Sequence, residues 1–285
     1  MARTLTPPAV DATLEPTERD LSAIIQLVYQ NSGITLHPGK RELVTSRLQK
    51  RVRGGGFASF AAYLAHVQAD RSGQAMTTLL DAIATNHTHF FRESRHFDFL
   101  AEHAQQLRAR CPGGVLDGWS AACSTGEEPY TILMRLHEAG HDAVRLLASD
   151  ISTKALAKAR SGVYPMAKVA DVPLPLLRRY FEKGLGEQDG LARVALPLRS
   201  QVDFRALNLL DITSLGRHFD FIFCRNVMIY FDKATQYGVL RRLVPQLAAD
   251  GRLYAGHSES FHHAADLVTN CGRTIYRAVA SRGTR

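Results

Sequence analysis

Val115–Tyr130 reads VLDGWSAACSTGEEPY, and the order of its residue types decides the fold. Val115 and Leu116 open an apolar extended run, Gly118 and Gly126 permit close backbone approach, and Glu127, Glu128 and Pro129 suit the first turn of a helix. A strand, a tight loop and a helix in that order form the crevice of an open α/β sheet. A dinucleotide loop would show G-x-G-x-x-G, and a P-loop would carry Lys after its last glycine; neither is present. Two carboxylates at the mouth repel phosphate and attract a cation, which points to a sulfonium and ammonium cofactor such as S-adenosylmethionine (SAM). The same acids also favour a helix N-terminus without any ligand, so this segment alone leaves both readings open.

Upstream of this segment, from Asp20 to about Ala84, four runs carry helical patterning: LSAIIQLVYQ, KRELVTSRLQKRV, FASFAAYLAHVQ and MTTLLDAIA. Gly33 with Pro38, Gly54–Gly56 and Ser72 with Gly73 separate them. An all-helical N-terminal domain over residues 19–84 is expected, preceded by a disordered extension over residues 1–18 that is rich in Pro and acids. Downstream, strands alternate with helices: VLDGW, a helix from Glu127 to about Gly140, RLLASD, a helix from Ser152, FDFIFCRNV, a helix from Ala234 to Ala248, and GRLYAGH. That alternation predicts a doubly wound, Rossmann-like, mostly parallel sheet over residues 85–285, with RTIYRAV at an antiparallel edge. Between Pro173 and Asn208 the rhythm breaks. LARVAL and QVDFRAL are expected to pair as antiparallel strands of a small β-subdomain inserted at about 184–206.

The chain of 285 residues is 45% hydrophobic, enough for a sizeable core, and Lys plus Arg exceed Asp plus Glu by 35 to 27. A net charge of +8 favours an acidic partner without saying which. Cys111, Cys123, Cys224 and Cys271 show no C-x-x-C spacing, which fits reduced thiols in a cytoplasmic protein and neither a disulfide framework nor a metal site. No apolar run reaches the ~18 to 20 residues that span a bilayer. No membrane insertion is expected.

Three further segments carry chemistry. Asp150 closes the second strand, 23 positions after Glu127, where a carboxylate meets ribose hydroxyls or caps the helix from Ser152. Asn208 and Leu209 follow the next strand, where an amide reads an adenine edge and an aliphatic chain packs on its face. In TNHTHFFRE, Thr85–Glu93, Asn86 and Thr88 offer neutral hydrogen-bonding groups and Arg92 a planar fork for a carboxylate. His87 and His89 lack a third ligand at metal spacing. In FIFCRNVMIYF, Phe221–Phe231, polar Arg225 and Asn226 interrupt an apolar run that ends near Tyr230. They are expected to point into the crevice, although Arg225 could instead pair with an acid such as Asp220.

Taken in order, TNHTHFFRE, WSAACSTGEEPYT, LASDIS, NLLD, FCRNVMIYF and AGHSES resemble the CheR family of chemotaxis-receptor glutamate methyltransferases, over about residues 20–280. The resemblance implies a SAM-dependent enzyme that forms glutamyl methyl esters on receptor cytoplasmic helices, with S-adenosylhomocysteine as the other product. It assigns cofactor contact to Asn86, Thr88, Arg92, Glu127 or Glu128, Asp150, Asn208, Leu209, Arg225 and Asn226, and sets Arg92 and Tyr230 beside the methyl acceptor. It further implies a cytoplasmic protein, expected to be a monomer, with a β-subdomain that could hold a receptor tail peptide. A methyltransferase for another acceptor and a SAM-sensing signalling module share the same cofactor residues and stay open as alternatives. GHSES, Gly256–Ser260, lacks the closing Gly of a nucleophile elbow, which disfavours a hydrolase.

The helical domain carries its own signal. Lys40, Arg41, Arg47, Lys50, Arg51 and Arg53 face a single acid, Glu42, between residues 40 and 53. At 100° per residue Lys40, Arg47 and Arg51 form one stripe, beside an apolar stripe of Val44, Leu48 and Val52. Lys40, Arg47, Lys50, Arg51 and Arg53 are therefore the candidate contacts for an acidic partner helix, the plain alternative being a solvated face. Nucleic acid is not expected, since neither aromatic interleaving nor zinc spacing accompanies the charge.

Overall fold

The computed structural model describes residues 14–109 and 112–279. Contacts divide the chain into two compact units, one ending at Ile83 and the other running from Ala84 onward and including Ser32–Ile34. The first holds α1 (Glu18–Ser32), α2 (Arg41–Gly54), α3 (Phe60–Ala69) and α4 (Gln74–Ile83). Thr17 and Asp20 exchange backbone-to-side-chain bonds at the start of α1, a capping pair that fixes the helix start. The earlier part of the expected N-terminal extension, residues 1–13, lies outside the described residues. Val44, Leu48 and Val52 of α2 are buried as their spacing predicts, in a core with Ile24, Val28, Phe60 and Leu79.

The second unit opens with α5 (Arg95–Arg108) and then alternates: β1 (Leu116–Ala121), α6 (Glu127–Glu138), β2 (Val144–Asp150) and α7 (Thr153–Ser161). An insertion follows, made of β3 (Val163–Pro165), α8 (Leu174–Tyr180), β4 (Phe181–Lys183), β5 (Leu191–Val194) and α9 (Leu196–Arg199). The main fold resumes with β6 (Val202–Ala206), β7 (Phe219–Cys224), α10 (Lys233–Leu243), β8 (Leu247–Tyr254), β9 (Val268–Asn270) and β10 (Ile275–Ala278). Seven strands form one sheet in the order β6-β2-β1-β7-β8-β10-β9. The first five are parallel, and β10 pairs antiparallel with β8 and with β9. Among the described residues no helix is long and apolar enough to cross a membrane.

Burial on both faces explains the apolar reading of β7. Phe221 and Phe223 pack into the core beneath α5 and α6, while Ile222 and Cys224 pack into the core beneath α10. Gly118 sits opposite Phe221 in the β1–β7 register, and a Cβ there would come within 2.2 Å of the Phe221 ring. The glycine is thus what lets the aromatic lie across β1.

Two expectations are corrected. QVDFRAL is not an antiparallel strand of the insertion: β6 lies parallel to β2 at the edge of the large sheet, and the small sheet is β3-β5-β4. The half-exposed alternation of β6 reflects that edge position, and the three-residue β3 is too short to show a period. The helix expected to reach Ala248 ends at Leu243; a 3-10 turn at Val244–Gln246 follows, and β8 begins at Leu247. Pro245 cannot donate to continue the helix, so the leucine spacing across it misleads.

Candidate active site at the carboxyl ends of the parallel strands

From β1 the sheet grows outward through β2 to β6 on one side, and from β1 to β7 and β8 on the other. The reversal places a crevice beyond the carboxyl ends of β1 and β7, where open α/β sheets bind ligands. Backbone strain concentrates there. Phe91, Glu93, Ala122, Ser124 and Asn226 all have φ between 49° and 66°. Each such non-glycine residue costs on the order of 1 kcal/mol or more and persists only where its surroundings over-determine it.

The loop after β1 is held on three sides. The Ser124 amide donates to Asp150 Oδ2 at 2.8 Å, and the Ser152 amide donates to Asp150 Oδ1 at 2.8 Å. Ser152, and not Asp150, supplies the side-chain cap of α7. The Tyr164 hydroxyl donates to Thr125 O at 2.7 Å. Gly126 has φ 96°, and a Cβ there would stand 2.8 Å from Ala159 Cβ and 2.9 Å from Tyr164 Oη. The two glutamates then diverge. Glu127 is buried and accepts from Thr125 Oγ1 at 2.6 Å, whereas Glu128 accepts from Ser120 Oγ at 2.8 Å and from Arg225 at 3.2 Å. Burial raises both carboxyls above the ordinary range, with Arg225 pulling Glu128 the other way.

Arg225, at the exit of β7, is enclosed: its side chain is 1% exposed. It donates to Glu128, to Arg92 O at 2.6 Å and to Glu93 Oε2 at 2.9 Å, and it lies over the rings of Phe97 and Phe223. Its acid partners are Glu93 and Glu128; Asp220 instead accepts the Asp117 amide. Asn226 donates from Nδ2 to Glu93 Oε1 at 3.1 Å. Three bonds therefore fasten the 225–226 corner to Arg92 and Glu93. Burial works against the Glu93 charge, but the bonds from Arg225 and Asn226 and the guanidinium charge hold its carboxyl down at about 2. Burial pushes the thiols of Cys123 and Cys224 well up, and neighbouring acids add to it, so neither is a nucleophile.

The remaining named residues stand in the segment before α5 and in the loops after β6 and β7. Asn86 is exposed and Thr88 half-buried in the segment leading into α5, and Arg92 is half-buried with one guanidinium nitrogen 2.8 Å from His87 O. Asn208 and the buried Leu209 follow β6, and the amide of Leu207 reaches Asp150 O at 3.0 Å. Tyr230 is half-buried in the 3-10 turn Met228–Tyr230. Glu93 and Glu259 bond the 225–226 corner, and sequence reasoning missed both. They sit inside two of the quoted motifs, but their partners lie 132 and 33 positions away for Arg225 and Asn226 respectively, beyond any local pattern.

The donor set fits SAM. Glu93, Glu127, Glu128 and Asp150 stand at the ends of β1 and β2 and in the segment before α5, while the enclosed cation Arg225 is tied to Glu93 and Glu128. Among the described residues the buried Ser124 Oγ has no hydrogen-bond partner. A ligand bearing sulfonium and ammonium charge answers that surplus of carboxylates over cations.

In the helical unit the five basic candidates are not equivalent. Lys50, Arg51 and Arg53 are exposed on α2, Lys40 is half-buried at its N-cap, and Arg47 is half-buried and donates to Ile83 O. Lys50 and Arg51 edge a cavity of about 590 Å³ that Phe57, Tyr63 and His66 also line.

Comparison with known proteins identifies the family. The family model described as "CheR methyltransferase, SAM binding domain" matches residues 86–277, and "CheR methyltransferase, all-alpha domain" matches residues 19–84. A chemotaxis protein methyltransferase of Escherichia coli is 45% identical over 258 residues, covering 89% of this chain and 88% of that protein. One from Salmonella typhimurium is 44% identical over 257 residues, covering 89% and 88%. Chemotaxis protein methyltransferase 2 of Pseudomonas aeruginosa is 44% identical over 265 residues, covering 91% and 93%. The acid-lined crevice at the sheet's switch point lies within the stretch that matches a SAM-binding domain, and the chain belongs to the CheR methyltransferase family.

Proposed function

We propose that this protein methylates glutamate side chains on the cytoplasmic helices of chemoreceptors, as a protein-glutamate O-methyltransferase. The observation that carries the reading is the crevice itself: a surplus of carboxylates for the cationic donor, fastened through Glu93 and Arg225 to Arg92 and to the loop that bears Tyr230. SAM supplies an electrophilic methyl group when bound. Asn86, Thr88, Glu127 or Glu128, Asp150, Asn208 and Leu209 hold it, and Arg225 and Asn226 shape the wall.

A glutamate acceptor has an ordinary pKa near 4.3 and is ionised at neutral pH, so the chain needs no general base. Its task is alignment and partial desolvation of the acceptor oxygen. Arg92 and Tyr230 orient the acceptor carboxylate and leave one oxygen free, because a clamp on both would stabilise the ground state as much as the transition state. Lys50, Arg51 and Arg53 of α2 meet the acidic receptor helix, with Lys40 and Arg47 at the edge of that face. β3 and β4, the outer strands of the small sheet, suit strand addition by a receptor tail peptide.

The test is incubation with labelled SAM and receptor cytoplasmic fragments, followed by mapping of base-labile methyl esters by mass spectrometry. Methyl groups found on another residue type would overturn the acceptor assignment. In the Tyr230→Phe variant, turnover should fall at least fivefold while SAM affinity stays within twofold, on the order expected for one lost orienting bond. Unchanged turnover would remove Tyr230 from the acceptor site.

A further inference from the structure

Glu259 lies in AGHSES, after β8, and its side chain belongs neither to the cofactor-holding set nor to the acceptor pair. The residue is 4% exposed, and its carboxylate is filled by main chain. Oε2 accepts from the amides of Asn226, at 3.0 Å, and Gly256; Oε1 accepts from the amide of Ile229 at 3.3 Å. The Glu259 amide donates back to Gly256 O at 2.9 Å, which closes the turn that presents the carboxylate. A Cβ on Gly256 would stand 2.4 Å from Asn226 Nδ2 and 3.0 Å from the Asn226 backbone nitrogen, so the two loops meet too closely for a side chain there.

We infer that Glu259 is a positioning residue for methyl transfer: it clamps both ends of the 226–229 loop and so fixes where the Tyr230 hydroxyl stands. The inference rests on the reading of Tyr230 as a group that orients the acceptor. The geometry supports action on that loop in particular. Asn226 has φ 56°, a backbone state that needs an external hold, and its amide is one that Glu259 takes. Ile229 is anchored through its amide while the residue is 49% exposed, so the turn is fixed from within and leaves an apolar residue beside Tyr230 at the surface. Glu93 holds the same corner through the side chains of Arg225 and Asn226, so the two carboxylates divide the work.

Glu259→Gln separates this role from a general one. Gln offers one acceptor oxygen, which will stay with the two amides of Asn226 and Gly256. Its NH2 group then faces the Ile229 amide, donor against donor, and the Tyr230 end of the loop is released. We expect kcat with saturating SAM and receptor fragment to fall about tenfold, the scale of a sub-ångström misplacement. SAM affinity by calorimetry should stay within twofold. On a Tyr230→Phe background the same change should cost less than twofold, because both variants act on one group. Glu259→Asp keeps the charge but falls one methylene short of Ile229, and should share the loss of kcat; it serves if the Gln variant does not fold. Wild-type kcat in E259Q or E259D beside an impaired Y230F would overturn this inference alone. SAM affinity falling in step with kcat, or full additivity with Y230F, would overturn it as well. Wild-type turnover in Y230F would instead remove the acceptor reading, and this inference with it.

Discussion

Glu93→Gln is the sharpest single test of the site's framework. In the wild type the Glu93 side chain is 13% exposed and bonds both Arg225 and Asn226, which hold its carboxyl at about 2 against an ordinary 4.5. That interval corresponds to about 3 kcal/mol of folded-state stability, somewhat less where solvent reaches its exposed edge. The sign follows from the lowered value. The contribution is complete above pH 4.5 and is lost as pH falls through 4.5 toward 2, because the folded state must then take up the proton it had excluded. Gln copies the shape of the protonated acid, so E93Q should be less stable by about 3 kcal/mol at pH 7, and the two proteins should converge as pH approaches 2. Urea titrations at pH 7, 5, 4 and 3, followed by Trp119 fluorescence, read the right unit, since Trp119 is the only tryptophan and is fully buried in the sheet. Retention of a charge partner in Glu128 should keep the variant folded at pH 7. A stability gap that stays constant from pH 7 to pH 3 would refute the assignment of Glu93 as the ionised partner of Arg225.

Two other variants test neighbouring claims. Gly126→Ala introduces a Cβ 2.8 Å from Ala159 Cβ at a backbone with φ 96°, and should cost roughly 2 kcal/mol in thermal unfolding and weaken SAM binding at least tenfold. A wild-type SAM affinity in a folded G126A would mean the loop does not bear on the cofactor. Charge reversal at Lys50 and Arg51 should raise the Michaelis constant for a receptor fragment about tenfold at low salt, with the effect shrinking as salt is added and SAM affinity unchanged. Arg47 is the wrong position for that test, because its guanidinium donates to Ile83 O and its loss would unsettle the helical unit itself. A salt-independent Michaelis constant in the double variant would remove this face from docking.

What could be read from the sequence and what could not divides along the range of the interaction. The loop from Ala122 to Gly126 was legible because turn chemistry, helix-start acids and strand apolarity all fall within sixteen residues. Burial of Val44, Leu48 and Val52 was legible for the same reason, a single helical period. Glu93 and Glu259 were not, since a carboxylate that takes a guanidinium 132 positions away looks no different in sequence from a solvated one. β6 was misplaced because alternation marks one buried face, which an edge strand of a parallel sheet and a strand of an antiparallel pair share. The site list that the resemblance implied contains neither acid, and the geometry gives its members different surroundings: Arg225, a polar residue expected to point into the crevice, is a buried tie between Glu93 and Glu128.

The adjacent acids that opened the reading, Glu127 and Glu128, differ in the same way. Both oxygens of Glu128 are engaged within the protein, one by the Ser120 hydroxyl and one by the enclosed Arg225. Glu127 sits at the first residue of α6 and takes the hydroxyl of Thr125 on Oε2. Removal of charge should therefore act differently at the two positions. Glu128→Gln strips Arg225 of one of its two acids, and should lower the unfolding temperature and turnover together, as breaking a buried pair does. Glu127→Gln still accepts from Thr125, so the fold should keep its unfolding temperature while SAM affinity falls about tenfold, the scale of one charge withdrawn from a cationic ligand. Calorimetric SAM titration alongside thermal unfolding separates the two. If E127Q binds SAM as the wild type does and E128Q loses binding without loss of stability, the charge that meets the cofactor is that of Glu128, and the bond from Arg225 serves to aim it.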